Sequence, residues 1–296
     1  MQVPPIKIVR SRYLLTVENE RKFSLFPEAC IRGALGYLLF DWAKLYFDEG
    51  DFFKSELCIR LYEALVGPFP EKKIVVREAT PPKMGMLFVA KDESGADLFL
   101  LELTLFGDNE DLLHLFTVAL RRLGTEGVGR SGIRYSVHTK INTQIGILSD
   151  FISDTPLEND IIDVELQLYS PMTLKAYGGR ILDAWDQDAF ARNLYNRVEL
   201  LCGALKIPFD FACSLSDFVD AFMSLDCRCM TKPVSRKRFS SRQKQSIVCA
   251  GFTGRVQIKS VPPLVVNLLL WGEQLAVGKN TTFGGGRYRL QRLVNL

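Results

Sequence analysis

Only two histidines occur in the 296 residues, His114 and His138, so an imidazole acid or base has few places to act from. His138 sits in an alternating run from Tyr135 to Ile141, on the side of Ser136 and Lys140, and is a candidate for proton transfer. His114 falls roughly opposite the Leu112, Phe116 and Leu123 side of its helix and reads as a surface group. A second set lies nearer the N-terminus, where Gly33, Tyr37 and Lys44 share the helix side away from Ile31 and Leu35. There Tyr37 could carry a proton and Lys44 could hold developing negative charge, while Gly33 lets another backbone come close. The seven cysteines (30, 58, 202, 213, 227, 229 and 249) include Cys227-x-Cys229 but no partner pair at zinc-ligand spacing. They read as reduced core thiols of a cytoplasmic protein, and no metal or other cofactor is expected.

Glycines are the second group with chemical meaning. An apolar helix from Leu112 to Leu123 runs into Gly124, Gly127, Gly129 and Gly132 and then Arg134-Tyr135. A second, from Leu264 to Val277, runs into Gly278, Gly284, Gly285 and Gly286 and then Arg287-Tyr288. Gly127, Gly129 and Gly132 spell G-x-G-x-x-G, but a dinucleotide fingerprint has its strand before the glycines and its helix after them, and here the order is reversed. Gly278-Lys279-Asn280-Thr281 lacks the upstream glycine of a P-loop and opens no helix. Positive φ at a helix-to-strand turn explains one or two glycines per loop. Three in succession at 284–286 expose more backbone N–H groups than a turn requires, and such groups suit phosphate.

Charge points the same way. The net charge is only +3, yet residues 228–296 hold thirteen lysines and arginines against the single acid Glu273. That stretch carries +12, and the preceding 227 residues therefore carry −9. A solvated face normally mixes signs, so a basic segment with a single acid points to a polyanion, with Arg236, Lys237, Arg238, Arg242, Lys244, Lys279 and Arg287 as its candidate contacts. No apolar run reaches the ~18 residues of a membrane span, and nothing at the N-terminus reads as an export signal.

The elements that must position these groups repeat. A strand from Ile6 to Val17 precedes a helix from Pro27 to about Lys44; strands near Ile74–Arg77 and Leu98–Phe106 precede the helix ending at Leu123 and the strand Tyr135–Ile141. The second half gives a strand at Val164–Leu174, a helix at Asp188–Leu205, strands around Met230–Phe239 and Ile247–Ile258, the helix from Leu264 and a last strand Arg287–Leu293. Each half is β-α-β-β-α-β, so the chain is expected to be α+β, two tandem ferredoxin-like domains at 1–148 and 161–296. An insertion at about 48–73 interrupts the first, and the acidic, polar stretch 149–160 is the linker.

Several segments together resemble a known family. They are Tyr169-Ser170-Pro171-Met172-Thr173-Leu174-Lys175, Asn196-Arg197-Val198-Glu199-Leu200-Leu201, Arg238-Phe239-Ser240-Ser241-Arg242-Gln243, Gly251-Phe252-Thr253-Gly254 and the ending Gly278 to Tyr288. In this order they resemble the CRISPR-associated RAMP endoribonucleases that process precursor guide RNA, with the match best over residues 160–290 and weaker before. Gly127-Val128-Gly129-Arg130 and Arg32-Gly33-Ala34-Leu35-Gly36 agree with the divergent N-terminal half of that family. The resemblance implies RAMP/RRM-like domains and metal-independent cleavage of CRISPR repeat RNA by its own 2′-hydroxyl, leaving a 2′,3′-cyclic phosphate. It also implies crRNA and other subunits of a CRISPR effector complex as partners. Family members often carry a histidine near the first helix, which Pro27–Lys44 lacks. The alternative is a related RAMP-type subunit that binds guide RNA without cutting it.

Overall fold

The protein, seen in a computed structural model, is described at residues 3–18, 27–70, 85–91, 98–129, 132–152, 161–240 and 245–293. It divides into two compact units. One spans Lys7–Ile145; the other comprises Gly146–Ser240 and Lys244–Leu296 together with Met1–Ile6.

In the first unit β1 (Lys7–Val17) leads to α1 (Pro27–Asp48) and α2 (Phe52–Leu65), then β2 (Gly85–Lys91), β3 (Leu98–Phe106), α3 (Leu112–Glu126) and β4 (Tyr135–Ile147). The sheet order is β2-β3-β1-β4. Alternation decides which side of β1 is buried: Val9, Tyr13, Leu15 and Val17 join Leu101, Leu103 and Leu105 of β3 under the helices. Pro27 supplies a fixed φ at the first turn of α1, whose Ile31, Leu35, Leu39 and Ala43 recur every four residues and close over that surface. The expected insertion holds α2, which buries Cys58, Leu61 and Leu65. The expected strand at Ile74–Arg77 lies outside the described residues; β2 pairs with β3, Leu87 opposite Leu103.

The second unit runs β5 (Ile162–Met172), the short hairpin β6 (Leu174–Lys175) and β7 (Ile181–Leu182), α4 (Gln187–Leu205), α5 (Leu215–Met223), β8 (Cys227–Ser240), β9 (Gln245–Val261), α6 (Pro263–Leu275) and β10 (Tyr288–Leu293). Its sheet order is β10-β5-β9-β8. Numbered within each unit, both sheets read 4-1-3-2 and are antiparallel, an α+β arrangement consistent with tandem ferredoxin-like domains. Part of the expected linker, 149–151, lies in a short 3-10 turn, and 153–160 lies outside the described residues. Arg197 is buried beneath α4, its Nε 3.2 Å from the Leu275 carbonyl at the end of α6; burial lowers its pKa to about 10, and the carbonyl end of a helix favours the charge that remains at neutral pH.

Both units close alike. Tyr135 opens β4 fully buried, and its hydroxyl donates to the Leu120 carbonyl of α3 at 3.0 Å. Tyr288 opens β10 the same way and donates to Leu269 of α6 at 2.5 Å. Each ring is admitted by a helix glycine: a Cβ on Gly124 would stand 2.2 Å from the Tyr135 carbonyl oxygen, and one on Gly272 would stand 2.5 Å from the Tyr288 hydroxyl.

Candidate nucleic-acid interface

The loop after α6 is stitched to the start of the second sheet. Val277 N–H donates to the Gly286 carbonyl, Lys279 N–H to Thr173, Gly285 N–H to Asn280 and Gly286 N–H to Pro171, all at 2.8–3.1 Å. Gly284 N–H donates to Thr281 at 3.0 Å, and Arg287 N–H donates to the Ser170 hydroxyl at 2.8 Å. The expectation that Gly284, Gly285 and Gly286 offer free N–H groups to phosphate is therefore corrected. All three donors are engaged inside the fold, and the glycines are buried. The reason for glycine is steric: Gly286 has φ +74°, and a Cβ there would lie 1.9 Å from the Val277 oxygen.

What this rigid loop presents is side chains. Lys279 is exposed at its edge. Arg287 donates from Nε to the Tyr169 hydroxyl at 3.0 Å, with its guanidinium carbon 5.8 Å from the ring centre, and Tyr169 is 46% exposed. Further basic residues share the sheet side away from the helices. Arg289, Gln167, Arg255 and Met230 form one row across β10, β5, β9 and β8, and Gln291, Glu165, Gln257 and Arg228 form the next. The one acid in these rows, Glu165, is held by Gln257 at 3.0 Å and by Arg255 at 3.7 Å. Arg228, Arg255 and Arg289 were not among the contacts expected from sequence, though the period-2 parity of their strands would have grouped them.

Three of the remaining expected contacts lie on a two-stranded ribbon. β5 follows β9 only as far as Phe252, whereas β8 and β9 stay paired out to Ser240 opposite Gln245. Arg236, Lys237 and Arg238 occupy that outer stretch, opposite Cys249, Val248 and Ile247. Arg242 and Lys244 lie outside the described residues. Long strands gave no sequence signal that they would outrun their sheet.

The three proposed chemical groups of the first unit do not form one cluster. Tyr37 and Lys44 are exposed on the outer side of α1, with the Lys44 ammonium 4.5 Å from the centre of the Phe40 ring. His138 lies on the opposite side of the sheet, where its Nε2 is 2.6 Å from the Thr16 hydroxyl and the neighbouring Ser136 bonds Glu18. The strand alternation that buries Tyr135 toward the helices turns His138 away from them. His114 is exposed on α3. Among the described residues no group of three or more His, Cys, Asp or Glu could hold a metal ion, and no helix is long and apolar enough to cross a membrane.

Residues 166–288 match the family model of the CRISPR-associated endoribonuclease Cas6. Comparison with curated proteins gives no match. Among solved structures, a Cas6 product complex is 15% identical and covers 97% of this chain and 100% of its own at a TM-score of 0.58. Thermus thermophilus Cas6 is 16% identical over 98% of this chain and 100% of its own, with a TM-score of 0.54. A chain of a partial Cas6-RT-Cas1–Cas2 complex is 9% identical over 98% of this chain and 46% of its own, with a TM-score of 0.51. At such identities the structures share the fold, while the family match covers the domain that holds the basic ribbon, the sheet rows and the stitched loop. The C-terminal region of the chain, residues 166–288, thus matches the family of the CRISPR-associated endoribonuclease Cas6, and the chain as a whole shares the fold of solved Cas6 structures.

Proposed function

We propose that this protein cuts CRISPR precursor RNA within its repeat and that the second unit supplies most of the grip. The observation that carries this reading is the concentration of basic residues on the domain that matches the Cas6 family, on its ribbon, its open sheet rows and the loop edge at Lys279 and Arg287. Each unit is read as a ferredoxin-like domain, with a boundary near 149–160. In the reaction the 2′-oxygen attacks phosphorus, the 5′-oxygen leaves, and a 2′,3′-cyclic phosphate and a 5′-hydroxyl result. A base takes the 2′-OH proton, an acid gives one to the leaving oxygen, and a cation steadies the phosphorane. Tyr37 and Lys44, two turns apart on one side of α1, serve as proton carrier and charge stabiliser. His138, across the sheet, is the alternative base rather than their partner. The reaction runs in the cytoplasm without a metal, and the product crRNA passes to other subunits of a CRISPR complex.

The test is single-turnover cleavage of repeat RNA in EDTA, with and without a 2′-deoxy nucleotide upstream of the cut. Cleavage in EDTA that the deoxy substitution abolishes, with binding retained, is expected. Dependence on magnesium, or cleavage of the deoxy substrate, would falsify the mechanism. A second reading, a guide-RNA-binding subunit without activity, is favoured by the missing histidine on α1 and by the separation of His138 from Tyr37 and Lys44. Tight binding of repeat RNA that is never cut would establish it.

A further inference from the structure

The junction of α1 and α2 carries an exposed aromatic patch to which the proposed RNA chemistry assigns no role. Phe47, Phe52 and Phe53 are 60%, 63% and 74% exposed, and the rings of Phe47 and Phe52 meet edge to face with centroids 5.3 Å apart. Three such rings leave on the order of 400 Å² of apolar surface open, the size at which a patch on a single chain is often functional. The scaffold beneath is fixed. Gly50, at φ +80°, donates to Phe47, Asp51 N–H to Tyr46 at 2.8 Å, and the Ser55 hydroxyl to Ala43 at 2.8 Å. Asp51 caps α2 through Lys54 N–H and pairs with the Lys54 ammonium at 2.8 Å, and that pairing lowers the Asp51 pKa. The rings are thus displayed by an ordered helix–turn–helix rather than by an unsupported loop.

Their surroundings select the occupant. Residues 41–56 hold Asp41, Asp48, Glu49, Asp51 and Glu56 against Lys44 and Lys54, and Asp48, Glu49 and Glu56 are exposed beside the rings. Beyond Lys44 the charge around the rings is net negative, which disfavours the phosphates of RNA and the head groups of an anionic membrane as occupants of the rings themselves. A two-fold contact with a second copy would set Asp48 and Glu49 near their own counterparts. We infer that the Phe47, Phe52 and Phe53 patch docks a partner protein, distinct from this chain, through a segment whose apolar anchor is flanked by lysine or arginine.

The experiment uses the full chain and two fluorescein-labelled 14-residue amphipathic peptides as probes, one of leucine and lysine and one of leucine and glutamate, read by fluorescence anisotropy. The lysine peptide is expected to bind 1:1 and at least ~10-fold more tightly than the glutamate peptide. Phe52→Ala with Phe53→Ala should weaken it at least ~10-fold while RNA binding and cleavage stay unchanged. Asp48→Lys with Glu49→Lys, which leaves the rings in place, should remove or reverse the preference between the peptides and decides the matter if the alanine pair does not fold. The inference is overturned if the lysine peptide does not bind, if it binds the alanine pair as well as wild type, or if the charge reversal leaves the preference intact. Displacement of the peptide by repeat RNA would assign the patch to the nucleic acid. Sedimentation of wild type as a dimer that the alanine pair renders monomeric would assign it to a second copy.

Discussion

The closures of the two units use one device under different constraint. Both run from a helix through a glycine loop to a buried tyrosine that bonds back to the helix. After α3 the loop is small: Gly127 N–H ends the helix on Leu123, Val128 bridges Ile133, and a Cβ on Gly129 would meet nothing nearer than the Cys30 sulfur at 3.6 Å. After α6 the loop is tied to Pro171 and Thr173 of the neighbouring strand segment, and a Cβ on Gly278 or Gly286 would meet backbone oxygen at 2.4 or 1.9 Å. The difference teaches that glycine content alone does not mark a phosphate cradle. In the basic unit it marks the compaction that lets Lys279 and Arg287 be held at fixed places.

The largest effect that sharpens this contrast is Gly286→Val. With φ +74° and backbone oxygen at the Cβ position, it should cost more than about 4 kcal/mol and leave the second unit unfolded, whereas Gly129→Ala should cost only about 1 kcal/mol for its positive φ. Thermal or urea melting measures both, and equal costs would erase the distinction between the loops. Next in size is chemistry assigned to the first unit: Tyr37→Phe or Lys44→Ala should slow single-turnover cleavage at least ~100-fold with little change in RNA affinity. If only His138→Ala does so, the site lies on the other side of that sheet.

A smaller effect is expected on binding. Replacing Arg236, Lys237, Arg238 and Arg242 with alanine should weaken RNA binding and flatten its salt dependence by up to about 0.7 in slope per lost phosphate contact. An unchanged slope would make the ribbon a mere solvated edge. The smallest effect concerns the paired tyrosines, whose hydroxyls burial holds at raised pKa. Native Tyr135 and Tyr288 stay neutral while unfolded tyrosines ionise near pH 10, so their contribution is complete below about pH 10 and falls by up to ~1.4 kcal/mol per pH unit per tyrosine above it. The double variant Tyr135→Phe, Tyr288→Phe should lose about 1 kcal/mol per hydrogen bond at neutral pH and show a shallower alkaline decline.

The repeat of elements was legible in sequence because apolar alternation and helical spacing are local; Pro27, the Ile31–Leu35 side and the Leu112–Leu123 side all fell where read. β2 was not, since Gly85–Lys91 is a short apolar run without alternation, although Pro81-Pro82 before it and the polar stretch 92–97 after it mark its ends. The basic residues were legible as a run but not as two places, because Arg255 and Arg289 become neighbours of Gln167 only through pairing between distant strands. Likewise the engagement of the Gly284–Gly286 donors depends on carbonyls more than a hundred residues away at Pro171, or on local turn geometry that letters do not encode.

The position of β5 between β10 and β9 bears on how the protein is made. Leu166 must find Leu290, and every residue of that rung arrives from the ribosome long after β5 itself. The basic unit thus waits, with one side of a central strand unpaired, until translation has passed Leu293, while Lys7–Ile145 can close far earlier. During that interval β5 is the segment most open to mispairing, and RNA that reaches the nascent ribbon would meet a surface whose far edge has not yet been laid down.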